Sequence, residues 1–181
     1  MATQFNVPTR EEVSENNKVI FDQLEKGVGF VPNLYASLAH SESALGDYLT
    51  LQNRRTSLKA KEKELINLVV SQVNECPYCL AAHTAIGKMN GFSEDQILEI
   101  RTGRATFDSK LDALAQFVRN ITINRSKPSA EAVENLYAAG YIKENLIDII
   151  IMIGDKTITN FLYGATQIPV DFPAAPELVE A

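Results

Sequence analysis

The sequence predicts an all-α fold, arranged as a compact multi-helix domain. Apolar residues recur at intervals of three and four along nearly the whole chain, and period-two alternation is scarce. Paired helix-start signals, in which Ser or Thr precedes Glu or Gln by three residues, occur at Thr9–Glu12 and Ser93–Gln96. No linker or low-complexity tract divides the 181 residues, so we expect a single domain over residues 1–181.

Each of the first four predicted helices follows a residue that can cap its N-terminus. These caps are Thr9, Asn33, Ser41 and Ser57. The first helix, "EEVSENNKVIFDQLEK", should end at Gly27 and Gly29, and a short one follows in "VPNLYASLAH". The third runs to about Arg55, and the fourth is "LKAKEKELINLVVSQV".

Five more helices are predicted before an extended tail. Their starts are marked by Pro77 after Cys76, by Ser93, by Asp108 or Ser109, by Ser129, and by the beginning of "KENLIDIIIMIGDKTITNFLYGA". The isoleucine-rich last segment also suits a strand, but its length and helical neighbours favour a helix. Residues 165–181 contain three prolines and little periodicity, which is typical of an extended tail.

Composition argues against two classes of partner. The net charge is -6, the pI is near 5.0, and no basic stripe is present, so we do not expect nucleic acid binding. The longest apolar run, "LIDIIIMIG", is too short for a membrane span and Asp148 interrupts it. The first residues do not resemble a secretory signal, so we expect a cytoplasmic protein. In that compartment, closely spaced cysteines more often take part in catalysis or bind metal than form structural disulfides.

Both cysteines lie in one segment, "NECPYCLAAHTAIGK", together with one of the two histidines. Cys76 and Cys79 fall in the first turn of the predicted helix, where free N–H groups and the helix dipole stabilise a thiolate. His83 is four residues after Cys79 and therefore shares its helix face. The imidazole can accept the thiol proton directly or through one water, which favours Cys79 as the activated sulfur.

A carboxylate on the preceding helix completes a possible relay. If the chain reverses between the two helices, Glu64 lies about 15 Å back from the turn and nearly opposite His83. Glu64, His83 and Cys79 would then form a line of carboxylate, imidazole and thiol, as in a catalytic triad. This arrangement requires Glu64 to face inward, whereas Glu62 and Lys61 of the same charge run face solvent.

The spacing E-x11-C-x2-C-x3-H formed by Glu64, Cys76, Cys79 and His83 resembles the alkylhydroperoxidase D-like branch of the carboxymuconolactone decarboxylase superfamily. The segment "GVGFVPNLYASLAHSES" is also similar, and the likeness extends over about residues 27–164. The resemblance implies an all-helical, alkylhydroperoxidase D-like domain, frequent trimers or hexamers, and thiol-based reduction of peroxides.

The same resemblance implies a role for each residue. Cys79 would attack the peroxide, Cys76 would resolve the oxidised sulfur, and Glu64 and His83 would relay protons. Tyr78 stands where some family members have a histidine, so one possible proton donor is missing. The decarboxylases of the superfamily generally lack the paired cysteines, which argues against a lyase.

The motif also fits structural and metal-binding interpretations. The cysteines could be small buried core residues, or zinc ligands with His83 and either His40 or Glu64. Structural zinc usually takes a second close ligand pair, which two cysteines and two histidines do not provide, so we expect no metal. "CPYC" is also a glutaredoxin-like string, but that fold needs a βαβ pattern. A thiol–disulfide reductase or redox-responsive module remains the main alternative.

We therefore expect a thiol-dependent peroxidase without a bound cofactor. Its partners would be a small hydroperoxide and an external dithiol reductant. Apolar helices such as "LIDIIIMIG" in a chain of this size need a second subunit to cover them, so a homo-oligomer (dimer, trimer or hexamer) is also expected.

Overall fold

The computed structural model describes residues 5–178, and within that range it contains helices but no strand. The predicted all-α fold is confirmed. The α-helices, in chain order, are α1 Glu15–Val28, α2 Asn33–Leu38, α3 Ala44–Gln52, α4 Ala60–Val73, α5 Pro77–Met89, α6 Glu94–Arg101, α7 Ser109–Ile123, α8 Ala130–Ala138 and α9 Lys143–Thr166. None of these helices combines the length and apolarity that a membrane crossing requires.

The described helices belong to two compact units. One comprises the described residues up to Arg55 together with Phe161–Asp171, and its core includes Phe21 and Leu45. The other comprises Thr56–Asn160 and the described residues from Phe172 onward. The expected single domain over residues 1–181 stays a prediction.

Helix α4 lies at the centre of the second unit. Leu65, Leu68 and Val69 are fully buried because α4 packs against α5, α6 and α7. Burying one such side chain contributes about 1.5–3 kcal/mol. Helix α4 is therefore held on several sides, and its polar side chains have fixed positions relative to α5.

A tight bend joins α4 to α5. The Cys76 N–H donates to the Ser71 carbonyl at 3.0 Å, and the Glu75 N–H donates to the Gln72 carbonyl at 3.2 Å. These are the two bonds of a Schellman motif, and Glu75 takes the required left-handed conformation with φ 50°. The bend places Cys76 at the N-cap of α5 and Pro77 at its first position, as predicted.

Three other predicted helix starts are confirmed. Ser93 and Gln96 form the reciprocal capping pair of α6. Asp108 accepts hydrogen bonds from the first N–H groups of α7, and Ser129 accepts one at the start of α8. The isoleucine-rich segment is helical throughout, which confirms the helix and excludes the strand that its composition also suited.

The first predicted helix begins later than expected. Glu12 accepts a hydrogen bond from the Thr9 N–H at 2.7 Å, but this pair caps only a 3-10 turn, Arg10–Glu12. Val13 then becomes extended and buries its side chain, and Ser14 caps α1 instead. The helix ends at Gly29 as predicted, whereas Gly27 lies inside it.

The start of α4 also differs from the prediction. Ser57 does not cap α4, because its N–H and its hydroxyl both donate to the Asp148 carboxylate at 2.6 Å. The Glu62 carboxylate instead turns back to accept the Lys59 N–H at 2.7 Å. Glu62 is consequently buried, so the prediction that it faces solvent is wrong, while Lys61 is exposed as expected.

The tail supplies an unexpected cap. Asn33 is the first residue of α2 rather than its cap, and its N–H donates to the Asp171 carboxylate at 2.6 Å. Residues 167–178 form no regular element, and α9 extends to Thr166, two residues into the predicted tail. Residues 179–181 of the predicted tail and residues 1–4 of the predicted domain lie outside the described residues.

Candidate active site

The two cysteines lie together at the start of α5. The sulfur atoms of Cys76 and Cys79 are 2.6 Å apart, and both residues are free thiols. The Cys76 sulfur also accepts the Cys79 N–H at 3.3 Å, so it caps the helix. The residues are only 1% and 2% exposed, which shields both sulfurs from bulk water.

The surroundings shift the pKa values of the two thiols in opposite directions. The pKa of Cys79 is lowered to about 6, and the largest cause is the hydrogen bond that Cys76 donates, which acts against the opposing effect of burial. Charge interactions with Lys156 and His83 and a hydrogen bond with Asn160 also lower the pKa of Cys79. The same thiol–thiol hydrogen bond, together with burial, raises the pKa of Cys76 above the ordinary thiol range. The geometry therefore favours a Cys79 thiolate beside a protonated Cys76.

Glu64 and His83 form a buried pair across the hairpin. The Glu64 carboxylate lies 2.7 Å from Nδ1 of His83, and its other oxygen accepts the Asn67 amide at 3.2 Å. Glu64 is 8% exposed, so the predicted inward orientation is confirmed. Burial raises the pKa of Glu64, but the charge of His83 and its hydrogen bond outweigh that effect and the net shift is downward. With an ionised Glu64 as acceptor, Nδ1 of His83 carries a proton, and Nε2 is the ring nitrogen available for proton transfer.

The predicted line from Glu64 to Cys79 is only partly continuous. Within residues 5–178, no hydrogen bond joins His83 to Cys79. The structure thus brings together a dithiol pair and a carboxylate–imidazole pair on two adjacent helices, but it does not bond one pair to the other. His83 affects the Cys79 sulfur through its electrostatic field.

Helix α9 supplies a third side of the site, which sequence reasoning missed. The Thr159 hydroxyl lies 4.0 Å from the Cys79 sulfur. Asn160 accepts a hydrogen bond from Asn74 at 2.9 Å and lies 3.4 Å from the Ser71 hydroxyl, at the bend that carries the motif. Lys156 is 3% exposed on the same helix. The sequence contained a signal, because these polar residues interrupt the isoleucine-rich α9, with Thr159 and Asn160 three and four residues after Lys156.

An aromatic contact covers the residue between the cysteines. Tyr78 is 2% exposed, and its ring packs edge-on against Phe172 of the tail with ring centroids 5.7 Å apart. Tyr78 therefore packs in the interior.

No metal centre is assembled within the part of the chain that the structure describes. There, no three His, Cys, Asp or Glu side chains converge as ligands. His40, one possible fourth zinc ligand, instead makes a 2.8 Å hydrogen bond between Nε2 and the Asn6 carbonyl.

Comparison with known proteins agrees with this geometry. Residues 41–118 match the model of the carboxymuconolactone decarboxylase family, a segment that contains Glu64, both cysteines and His83. The chain is also similar to the uncharacterized protein YdfG of Bacillus subtilis, with 24% identity over 102 residues, which is 55% of this chain and 69% of YdfG.

Solved structures of similar fold extend over nearly the whole chain. The alkylhydroperoxidase AhpD core protein of Ralstonia eutropha JMP134, described as peroxidase-related, is 19% identical with a TM-score of 0.83 over 93% of this chain and 92% of that one. A peroxidase-related protein of Silicibacter sp. TM1040 is 22% identical, with a TM-score of 0.80 over 93% and 90%.

A third similar structure is a cysteine-to-alanine variant of the debrominase Bmp8 with bound 2,3,4-tribromopyrrole. It is 15% identical with a TM-score of 0.77 over 94% of this chain and 93% of that one. At these identities the likeness shows the fold. Residues 41–118 therefore carry the match to the carboxymuconolactone decarboxylase family, and the chain has a fold similar to that of the alkylhydroperoxidase AhpD core.

Proposed function

We propose that the protein is a thiol-dependent peroxidase that reduces small hydroperoxides through Cys79 and Cys76. The observation that supports this proposal best is the pair of sulfurs 2.6 Å apart, in which Cys76 donates its hydrogen bond to Cys79. A low-pKa thiol beside a protonated one suits a nucleophile and the residue that resolves it. The peroxidase-related proteins of similar fold agree with this chemistry.

The reaction balances in two steps. The Cys79 thiolate attacks the terminal oxygen of ROOH, the O–O bond breaks, and Cys79 becomes a sulfenic acid while RO⁻ takes a proton to leave as ROH. In this proposal His83, paired through Nδ1 with Glu64, supplies that proton through Nε2. The Cys76 thiol then attacks the sulfenic sulfur, releasing water and forming the disulfide. An external dithiol restores both thiols by exchange.

Burial favours a small oxidant over the main alternative, a protein thiol–disulfide oxidoreductase. A partner protein would have to bring its own disulfide into line with a sulfur that is 1% or 2% exposed. A hydroperoxide needs only a narrow path. Fast exchange with an oxidised partner protein, combined with slow reaction with every hydroperoxide, would favour the alternative.

The test is the rate at which oxidants consume the two thiols. Reduced protein is mixed with hydrogen peroxide or with cumene hydroperoxide, and the remaining thiols are counted over time. We expect at least one oxidant to consume both thiols about 10²-fold faster than it consumes free cysteine at the same pH. The lowered pKa of Cys79 increases the fraction of thiolate, and preorganised side chains around it favour the reaction. Rates equal to that of free cysteine would refute the proposal.

We also propose that the protein is a cytoplasmic homo-oligomer. Three isoleucines of α9 are 61%, 42% and 46% exposed, namely Ile147, Ile150 and Ile158. They recur on one side of the helix and would be covered by another subunit. The cytoplasm keeps thiols reduced, as this chemistry requires. Light scattering at micromolar concentration should give a mass above the 20.0 kDa of one chain, and a monomer would contradict the oligomer.

A further inference from the structure

We propose that Lys156 of α9 is the fixed counter-charge of the Cys79 thiolate and acts as a positioning residue. This role rests on the proposed function in one respect, that Cys79 is the reactive sulfur. It does not depend on which oxidant the protein reduces.

Lys156 is placed on the face of α9 that adjoins the cysteines. It precedes Thr159 by three residues and Asn160 by four, so the three side chains share one helix face. The Thr159 hydroxyl is 4.0 Å from the Cys79 sulfur, and Asn160 is hydrogen-bonded at the α4–α5 bend. Lys156 is 3% exposed, so its ammonium group lies in the interior with them.

A buried ammonium group needs a negative partner, and the carboxylates do not provide one by direct contact. Within residues 5–178, Lys156 makes no ion pair within 4.0 Å. Glu64 is near enough for a charge interaction, but its two oxygens already accept from His83 and Asn67. Asp155 is the adjacent residue on α9, is 2% exposed, and has one carboxylate oxygen without a hydrogen-bond partner.

Besides these carboxylates, the Cys79 sulfur is a further negative group on this side of α9. Its surroundings contain Cys76 and His83 from α5, Glu64 from α4, and Lys156 from α9. Of these, Lys156 is the side chain whose ordinary charge at neutral pH is positive. Its charge lowers the pKa of Cys79 and also that of Glu64. Because the interior screens charges weakly, a lysine here favours the thiolate even without direct contact.

Replacing Lys156 with a neutral residue should make Cys79 less acidic. The rate of Cys79 alkylation by iodoacetamide is measured against pH in the reduced protein, and the modified residue is located by mass spectrometry. For the wild type, the rate should be half-maximal near the Cys79 pKa of about 6. In Lys156→Met, which is similar in volume, the midpoint should rise by about one unit, and the rate well below it should fall about tenfold.

Two further variants separate charge from structure. Lys156→Arg keeps the charge and should restore the wild-type midpoint, whereas the exposed Lys143→Met on the same helix should leave it unchanged. A folded Lys156→Met or Lys156→Gln protein with the wild-type midpoint would overturn the proposal. Peroxide is absent from this measurement, so failure of the peroxidase proposal would not be confused with failure of this one.

A stability measurement covers the case in which the neutral single variants do not fold. Cys79→Ser removes the proposed partner and leaves the buried Lys156 charge without it, which is costly. Cys79→Ser/Lys156→Met removes both charges and should therefore melt at a higher temperature than Cys79→Ser. If the double variant melts at the same temperature or lower, Lys156 is not the counter-charge of Cys79.

Discussion

Replacing Cys79 by serine should lower hydroperoxide consumption by about 10³-fold or more, because a hydroxyl cannot replace the buried thiolate as nucleophile. The wild-type sulfur has its pKa lowered by the hydrogen bond from Cys76, and serine at this position would remain protonated at neutral pH. The measurement is the loss of cumene hydroperoxide in the presence of excess dithiothreitol. The melting temperature of the variant shows whether the fold is retained.

The matched control is Cys76→Ser, which removes the other sulfur of the pair. Cys79 can still be oxidised once in this variant, but no neighbouring thiol condenses with the product, so a sulfenic acid should accumulate on Cys79. A reagent specific for sulfenic acids, followed by mass spectrometry, locates the modified residue. If Cys79→Ser instead traps a sulfenic acid on Cys76, the two cysteines have the opposite roles.

The second large effect is expected at Glu64. Glu64→Gln keeps the shape of the side chain but removes the charge 2.7 Å from His83 Nδ1. The amide can present either its oxygen or its NH₂ group to the imidazole, so His83 is no longer held with Nε2 free. We expect the rate of peroxide reduction to fall by about 10²-fold, which is the usual contribution of a positioned acid–base group.

Glu62→Gln provides a matched control on the same helix. Glu62 is also buried, but its carboxylate accepts the Lys59 N–H at the start of α4 rather than a group at the dithiol. This variant should lose up to about 1 kcal/mol of unfolding free energy and keep its rate of peroxide reduction. Equal losses of rate in the Glu62 and Glu64 variants would mean that Glu64 acts only by stabilising α4.

Local patterns predicted much of the fold and one half of the candidate site. Capping by Ser93 and Gln96 depends on residues three apart, and helix α5 begins at Pro77 because that residue has no N–H to satisfy. The pairing of Glu64 with His83 could be predicted because it needs only two adjacent antiparallel helices and a count of residues from their turn.

Several of the incorrect predictions involve partners that are distant in the sequence. Ser57 is a residue type that often caps helices, but Asp148, 91 residues later, accepts a hydrogen bond from its hydroxyl. Glu62 stands in a charge run, and its burial depends on helices packed around α4. Asn160 lies at the α4–α5 bend only because α9 returns to the hairpin, and no local pattern specifies that return.

The most direct measurement of the central claim is the stoichiometry of a single oxidation. Reduced wild-type protein is exposed to one equivalent of cumene hydroperoxide without reductant, the alcohol released is quantified, and the protein is mapped by mass spectrometry. We expect one alcohol per chain and one disulfide between Cys76 and Cys79. Intact thiols after this exposure, or alcohol formed without that disulfide, would contradict it.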